Sequence, residues 1–291
     1  MVDGLASLRR FLPCRYTEMM PHIVKASKVA AATCKDLFMD QRWNCSAIET
    51  APQLSPDLTL GTREQAFVHA LASAAVAYSV SKACASGTVF YCTCGRVPSE
   101  PPNGSFQWGG CGDNLKYGLK LSQTFVDAPD RVKRVRRSLT ALTNRHNNRA
   151  GRKALRESQV TECKCHGVSG SCNIRTCWKA LARLDVIGRR LKKKYATAME
   201  VTGQGPASTD RRLRLLPVSP IRGLYNEEDL IYTVQRNIFG DGRLQVHVLR
   251  TRIHDVHDRE DRTLPMQVLL VLLREVQNVQ DVDRRPGVQL R

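Results

Sequence analysis

A chain of 291 residues, 42% hydrophobic and 25% charged, has the balance of a folded protein with a sizeable core, which excludes an intrinsically disordered one. Forty-five Lys and Arg against 27 Asp and Glu leave a formal net charge of +18, so an anionic partner is expected: nucleic acid, a membrane surface or a sulfated polysaccharide. No window reaches the roughly 18 apolar residues that a bilayer span needs, because FVHALASAAVAYSV is interrupted by His69 and Ser73.

The first residues, MVDGLASLRRFLPC, lack the continuous apolar core of a secretory signal. Met20, Ile23, Ser27, Ala30, Cys34 and Phe38 then recur at helical spacing, with Pro21 where a first turn tolerates it, and predict a helix ending near RWNC. Thr62 and Gln65 form a T-x-x-Q capping box ahead of Phe67, Leu71, Ala74 and Tyr78, so a second helix runs towards Cys84. From Ala85 to Asp113 the Gly, Pro and Cys content predicts a stapled loop with little regular structure. Helical pattern resumes at Leu115 and Leu119. Val132, Val135, Leu139 and Leu142 mark a basic amphipathic helix, and Leu181, Leu184, Ile187, Leu191 and Tyr195 mark another beginning just after Cys177. Arg131 to Arg156 hold ten Lys and Arg and no acid, and GRRLKKK follows at Gly188 to Lys194; such runs are either solvated helix faces or a binding surface. After Val201, TGQGPASTDRRLRLLPVSP has the composition of an exposed linker. The expected fold is mainly α: a disulfide-stapled helical body over 1–200 with projecting hairpins, then a linker over 201–235 and a tail over 236–291.

All eleven cysteines precede residue 178, and they bracket loops between the predicted helices as a disulfide framework does, which implies an oxidising compartment. Zinc is the rival reading of CKCH at Cys163 to His166 with Cys172 and Cys177, but the C-x-x-C pair spacing is missing and no metal is expected. Two sequons, at Asn44 and Asn103, are candidate glycosylation sites and agree with secretion.

The most specific stretch is ECKCHGVSGSCNIRTCWK, Glu162 to Lys179. Its cysteines can nest, Cys165 with Cys172 inside Cys163 with Cys177, cross-linking the arms of a hairpin and leaving HGVSGS at a stiff tip. Gly167 and Gly170 permit tight turning and leave the Ser169 hydroxyl uncrowded. Gly167-Val168-Ser169 begins like a G-x-S-x-G nucleophile elbow with His166 nearby. The fifth position is Ser171, however, and no βα context precedes it, so hydrolase chemistry is set aside and the chain is not expected to be an enzyme.

CKCHGVSGSC with RTCW, together with RWNCS, FVHALASAA and WGGCGDNLKYG, resembles the Wnt family of secreted, lipid-modified signalling ligands, from about Val2 to about Gln235. The resemblance implies that Ser169 carries a covalent palmitoleoyl group, added by the acyltransferase Porcupine, and that no separate cofactor is needed. It implies that His166, Gly167, Val168, Ser169, Gly170 and Ser171 form a thumb that presses this lipid into the cysteine-rich domain of a Frizzled receptor. The family's disulfides carry over as Cys34 with Cys45, Cys84 with Cys92, Cys94 with Cys111, Cys163 with Cys177 and Cys165 with Cys172. A Wntless carrier, an LRP-type co-receptor and the extracellular space and matrix complete the expectation; heparan sulfate suits the basic helices, and nucleic acid is not a partner. The alternative is a disulfide-rich, basic, heparin-binding extracellular protein without receptor signalling.

The chain departs from the family at both ends. Cys14 is left over and a signal sequence is missing, which places the expected true start upstream. The second, disulfide-dense domain of the family is also missing, and PMQVLLVLLREVQNVQ stands in its region. Taking the last two bases of each codon with the first of the next turns Met266-Gln267 into Cys, and Gln267-Val268 into Lys or Arg. Over Leu264 to Gln280 the shifted frame permits C-x-C-K-Y-x-W-C-C-Y-V-K-C-K-T-C-R, close to a Wnt ending. The tail is therefore expected to be an out-of-frame translation, disordered or misfolded.

Overall fold

The structure, a computed structural model, describes residues 18–50, 58, 61–102, 106–131, 138–204, 214–218, 226 and 228–233. Helix α1 spans Met20–Phe38 with proline in its first turn, and a short α2, Ala47–Thr50, follows. Helix α3, Arg63–Ala85, opens on the expected capping box: the Gln65 amide donates to Thr62 Oγ1 at 3.2 Å, and the Gly61 amide donates to Gln65 Oε1 at 2.7 Å. Asn114 caps α4, Leu115–Val126, and Ser138 caps α5, Leu139–Arg156. Helix α6 is Leu184–Ala196.

Helix α3 is apolar on every side because α1, α4, α5 and α6 all pack around it. Among the described residues it is long and apolar enough, by length and composition, to cross a membrane, yet 78% of that stretch is buried inside the fold. The polar residues that interrupt it lie buried at its helix contacts. Ser73 Oγ donates to the Asn148 carbonyl of α5 at 2.7 Å, and Ser122 Oγ of α4 donates to the Ser73 carbonyl at 2.7 Å. Gly151 lets α5 approach, since a Cβ there would overlap the Ala70 carbonyl. At the other side of the core, Phe38 meets Trp43, Phe67 and Tyr195 edge to face at centroid distances of 5.0, 4.9 and 5.1 Å.

A buried polar cluster ties α5 to the end of α4 and to the turn after it. Arg152 makes two 3.0 Å bonds to the Asp127 carboxylate, which also accepts from Asn148 at 3.1 Å, and Asn144 donates to Asp130 at 3.3 Å. Burial pushes Asp130 up to about 7, against the opposing Asn144 bond, and burial pushes His69 down to about 4. Between about pH 4 and 6.5 folded Asp130 keeps a proton that the unfolded chain has lost, so its contribution to stability falls as pH rises. Folded His69 lacks a proton that the unfolded chain holds over the same window, so its contribution rises with pH. The two slopes oppose each other. Asp130→Asn removes the first, and urea midpoints of that variant should fall on acidification from about 6.5 towards 4 more steeply than those of the parent.

Two small sheets flank the helices. In one, β1 (Phe106–Trp108), β2 (Gln159–Cys165) and β3 (Arg175–Leu181) lie in the order β1-β3-β2, with β2 antiparallel and β1 parallel to β3. In the other, β4 (Met199–Gln204), β5 (Arg214–Pro217) and β6 (Ile231–Tyr232) lie in the order β5-β4-β6. Leu181, which the apolar pattern assigns to a helix, ends strand β3: it pairs with Gln159, and its amide donates to Asp113 Oδ2 at 2.7 Å. Residues 201–204 and 214–217, expected in a linker, pair as a hairpin because backbone hydrogen bonding there needs no apolar pattern.

Strand β6 is also seated in the helical body. Leu230 and Ile231 are fully buried, and the Asn147 side chain brackets the Ile231 backbone, donating to its carbonyl at 2.9 Å and accepting its amide at 3.0 Å. Tyr232 lies under Arg63, and the Thr233 amide donates to the Gly61 carbonyl at 2.7 Å. Asn147→Ala leaves both Ile231 groups buried without partners, an expected loss of about 2–4 kcal/mol that chemical denaturation would read. Val132, Val135, Cys14, Asn103 and the tail from 234 onward lie outside the described residues.

Candidate functional site

The hairpin of β2 and β3 projects from the body. Strand β2 is exposed over nearly its whole length, so little burial holds it; covalent and backbone bonds do instead. Cys163 faces Cys177 in the register and is bonded to it, with Cα atoms 4.0 Å apart, and Cys165–Cys172 closes the tip with Cα atoms 4.6 Å apart. At about 3.3 Å per residue the seven-residue strand carries the tip roughly 20 Å from its base.

The base is fixed through Asp113. Its amide donates to the Lys179 carbonyl at 3.0 Å, its carboxylate accepts from Leu181, and Lys82 of α3 pairs with it at 2.8 Å. Along the outer edge, Lys179 lies over Trp108 and Arg175 over Phe106.

At the tip, the His166 amide donates to the Ile174 carbonyl at 2.7 Å, and the Gly167 amide to the Ser171 carbonyl at 2.8 Å. A single 3-10 turn, Val168–Gly170, fills the interval. Gly167 is required here, because a Cβ would lie 2.5 Å from the Ser171 carbonyl oxygen. Ser169 sits at φ 58°, ψ 27°, the left-handed region that a serine seldom adopts, and Gly170 follows at φ 77°. Val168 is 90% exposed, Ile174 is 66% exposed, and Ser169 and His166 face solvent with no hydrogen bond between them. The arrangement offers a free hydroxyl at the apex of a rigid arm with an apolar collar.

The other disulfides are Cys34–Cys45, Cys84–Cys92 and Cys94–Cys111. Cys84–Cys92 ties the segment after α3 to that helix and Cys94–Cys111 closes the segment on itself, and with Cys34–Cys45, Cys163–Cys177 and Cys165–Cys172 they use ten of the eleven cysteines. The CKCH cysteines are therefore sulfur-bonded to cysteine partners, and among the described residues no group of three or more His, Cys, Asp or Glu is placed to hold a metal ion. Asn44 is exposed, and its Oδ1 accepts the Ser46 amide at 3.2 Å.

Much of the basic charge on α6 meets acids that the sequence pattern does not reveal. Asp185 pairs with Arg183 and Arg189, Glu157 with Arg190, and Asp40 with Lys192 at 3.6 Å. Glu228, far along the chain, takes Lys153 at 2.9 Å and Lys194 at 3.1 Å, and hydrogen bonds from these two lysines hold its carboxyl down to about 2.

The family model of the wnt family matches residues 2–262, beyond Gln235 where the sequence motifs place the end of the resemblance. Protein Wnt-11b-2 of Xenopus tropicalis is 47% identical over 237 residues, which are 80% of this chain and 66% of that relative. Protein Wnt-11 of Xenopus laevis is 41% identical over 233 residues, 79% of this chain and 65% of that relative. The match thus spans just under two thirds of the length of these relatives. In three dimensions the chain is similar to a chain of the solved structure of human WLS in complex with WNT8A, at a TM-score of 0.52 and 33% identity, covering 77% of this chain and 69% of that one. With a family match over nearly its whole length and relatives that share more than four residues in ten, this chain belongs to the Wnt family.

Proposed function

We propose that the chain is a secreted signalling ligand whose palmitoleoylated Ser169 hairpin seats in the cysteine-rich domain of a Frizzled receptor. The observation that carries the reading is the tip itself: an exposed serine in a left-handed turn, at the end of an arm stiffened by two disulfides and bounded by Val168 and Ile174. Such an arm presents an acyl chain with little ordering cost left to meet on binding. The apolar collar adds surface where the chain leaves the protein.

Passage through the secretory route would involve Porcupine for acylation and Wntless for carriage; the likeness to a chain of human WLS in complex with WNT8A supports the second. An LRP-type co-receptor, glycosylation at Asn44 and residence in the extracellular space and matrix belong to the same reading. The heparin-binding alternative uses the basic surface alone and gives no role to the exposed serine or the braced arm.

Mass spectrometry of the chain purified from expressing cells tests the proposal. The peptide containing Ser169 should be heavier by one palmitoleoyl group. An unmodified Ser169 in protein that binds Frizzled at full strength would overturn it.

A further inference from the structure

Immediately after α3 the chain makes a second projection that the acyl hairpin does not use. Phe90 is 90% exposed, Tyr91 beside it 55% and Val97 58%, whereas Val89 between them and the helix is 2% exposed and Cys92 is 9%. The buried pair anchors the loop and leaves the aromatic pair at its tip. Its backbone is also tied down. The Gly87 amide donates to the Cys84 carbonyl at 3.3 Å, the Thr88 amide and hydroxyl both donate to the Ala83 carbonyl, and Cys84–Cys92 and Cys94–Cys111 close the loop on either side. An aromatic pair is therefore held in water by a rigid support.

The surroundings choose the occupant. From Ser86 to Val97 the sequence has one cation, Arg96, and no acid; the other polar residues are small and uncharged. Lys82 beneath the loop is already paired with Asp113. Burying this tip would strip no carboxylate of water. Two aromatics and a valine are too small a surface for a stable protein interface, which needs about 800 Å² per partner. A bilayer interface takes aromatic side chains singly, with a phenol at the headgroup level and a phenyl ring deeper. Arg96 at the rim suits lipid phosphate, which zwitterionic and anionic headgroups both carry.

We infer that the Phe90–Tyr91 tip is a membrane-interface contact that inserts into the headgroup region of a phospholipid bilayer. It acts beside any acyl group on Ser169 and independently of it. A single acyl chain gives only marginal, reversible attachment, and a second weak contact on the same molecule converts that into residence.

The test uses the full chain with Ser169→Ala, so that no acyl group contributes, and co-sedimentation with vesicles of phosphatidylcholine with or without phosphatidylserine. The parent should bind both kinds of vesicle, and adding Phe90→Ser with Tyr91→Ser should weaken the binding to each by about tenfold or more. Both side chains are exposed, so the fold should survive, and matching circular dichroism spectra establish that it has. Equal vesicle binding by the two proteins would overturn the inference. So would a variant that keeps its vesicle binding and loses binding to receptor-bearing cells, since the tip would then belong to a protein interface.

Discussion

Replacing Ser169 by alanine is expected to leave the fold intact and to lower affinity for a Frizzled cysteine-rich domain by two or more orders of magnitude. The hydroxyl is exposed, and the bonds that shape the tip are backbone bonds from His166, Gly167, Gly170 and Ser171, which alanine leaves in place. Serine already bears the cost of a Cβ in the left-handed turn, so alanine adds little to it. The loss on binding is of another order. A palmitoleoyl chain has a gross transfer energy on the order of 10 kcal/mol at about 0.8 per methylene, of which ordering and association consume a part. Surface-immobilised receptor domain and a purified variant give the affinity, and circular dichroism gives the fold. Thr124→Ala, which removes an exposed hydroxyl on α4 outside the hairpin, is the matched control and should bind as the parent does. Equal affinities for Ser169→Ala and the parent would exclude the acyl mechanism.

Asp127→Ala is the substitution expected to damage the body most. The carboxylate is 3% exposed and receives two bonds from Arg152, one from Asn148 and a longer contact from Arg131 at 3.5 Å. Alanine leaves the Arg152 guanidinium, 9% exposed at its side chain, buried without its counter-charge. Breaking one half of such a pair costs about 3–5 kcal/mol. For a body of this size that corresponds to a fall in Tm of about 10 °C, readable by thermal denaturation. Arg152→Met with Asp127→Leu should recover most of the loss, since two apolar groups of similar volume leave no buried charge. A double variant no more stable than Asp127→Ala would show that the cluster acts through packing rather than charge.

Local chemistry was legible in the sequence wherever one residue decides it. Thr62 and Gln65 announce the start of α3, and the glycines around Ser169 stand where the backbone turns tightly. The four cysteines around HGVSGS sit at spacings that a hairpin can bridge. What stayed hidden depends on residues distant in the chain. Nothing near Asn147 marks it as the bracket for Ile231, and Glu228 shows its use only when Lys153 and Lys194 converge on it. Leu181 fits a helical stripe and yet ends a strand, because strand pairing and Asp113 outweigh a single periodic position. His69 and Ser73 look like flaws in an apolar run; in the fold they are buried at the contacts of that helix with its neighbours.

The seating of β6 also has a consequence for synthesis on the ribosome. Asn147 and Ile231 are 84 residues apart, so the bracket on α5 is made long before the strand that fills it has been translated. At about 5–20 residues per second that interval is on the order of ten seconds. Through it the Asn147 side chain on α5 has no strand to bracket, so β6 docks onto helices translated before it.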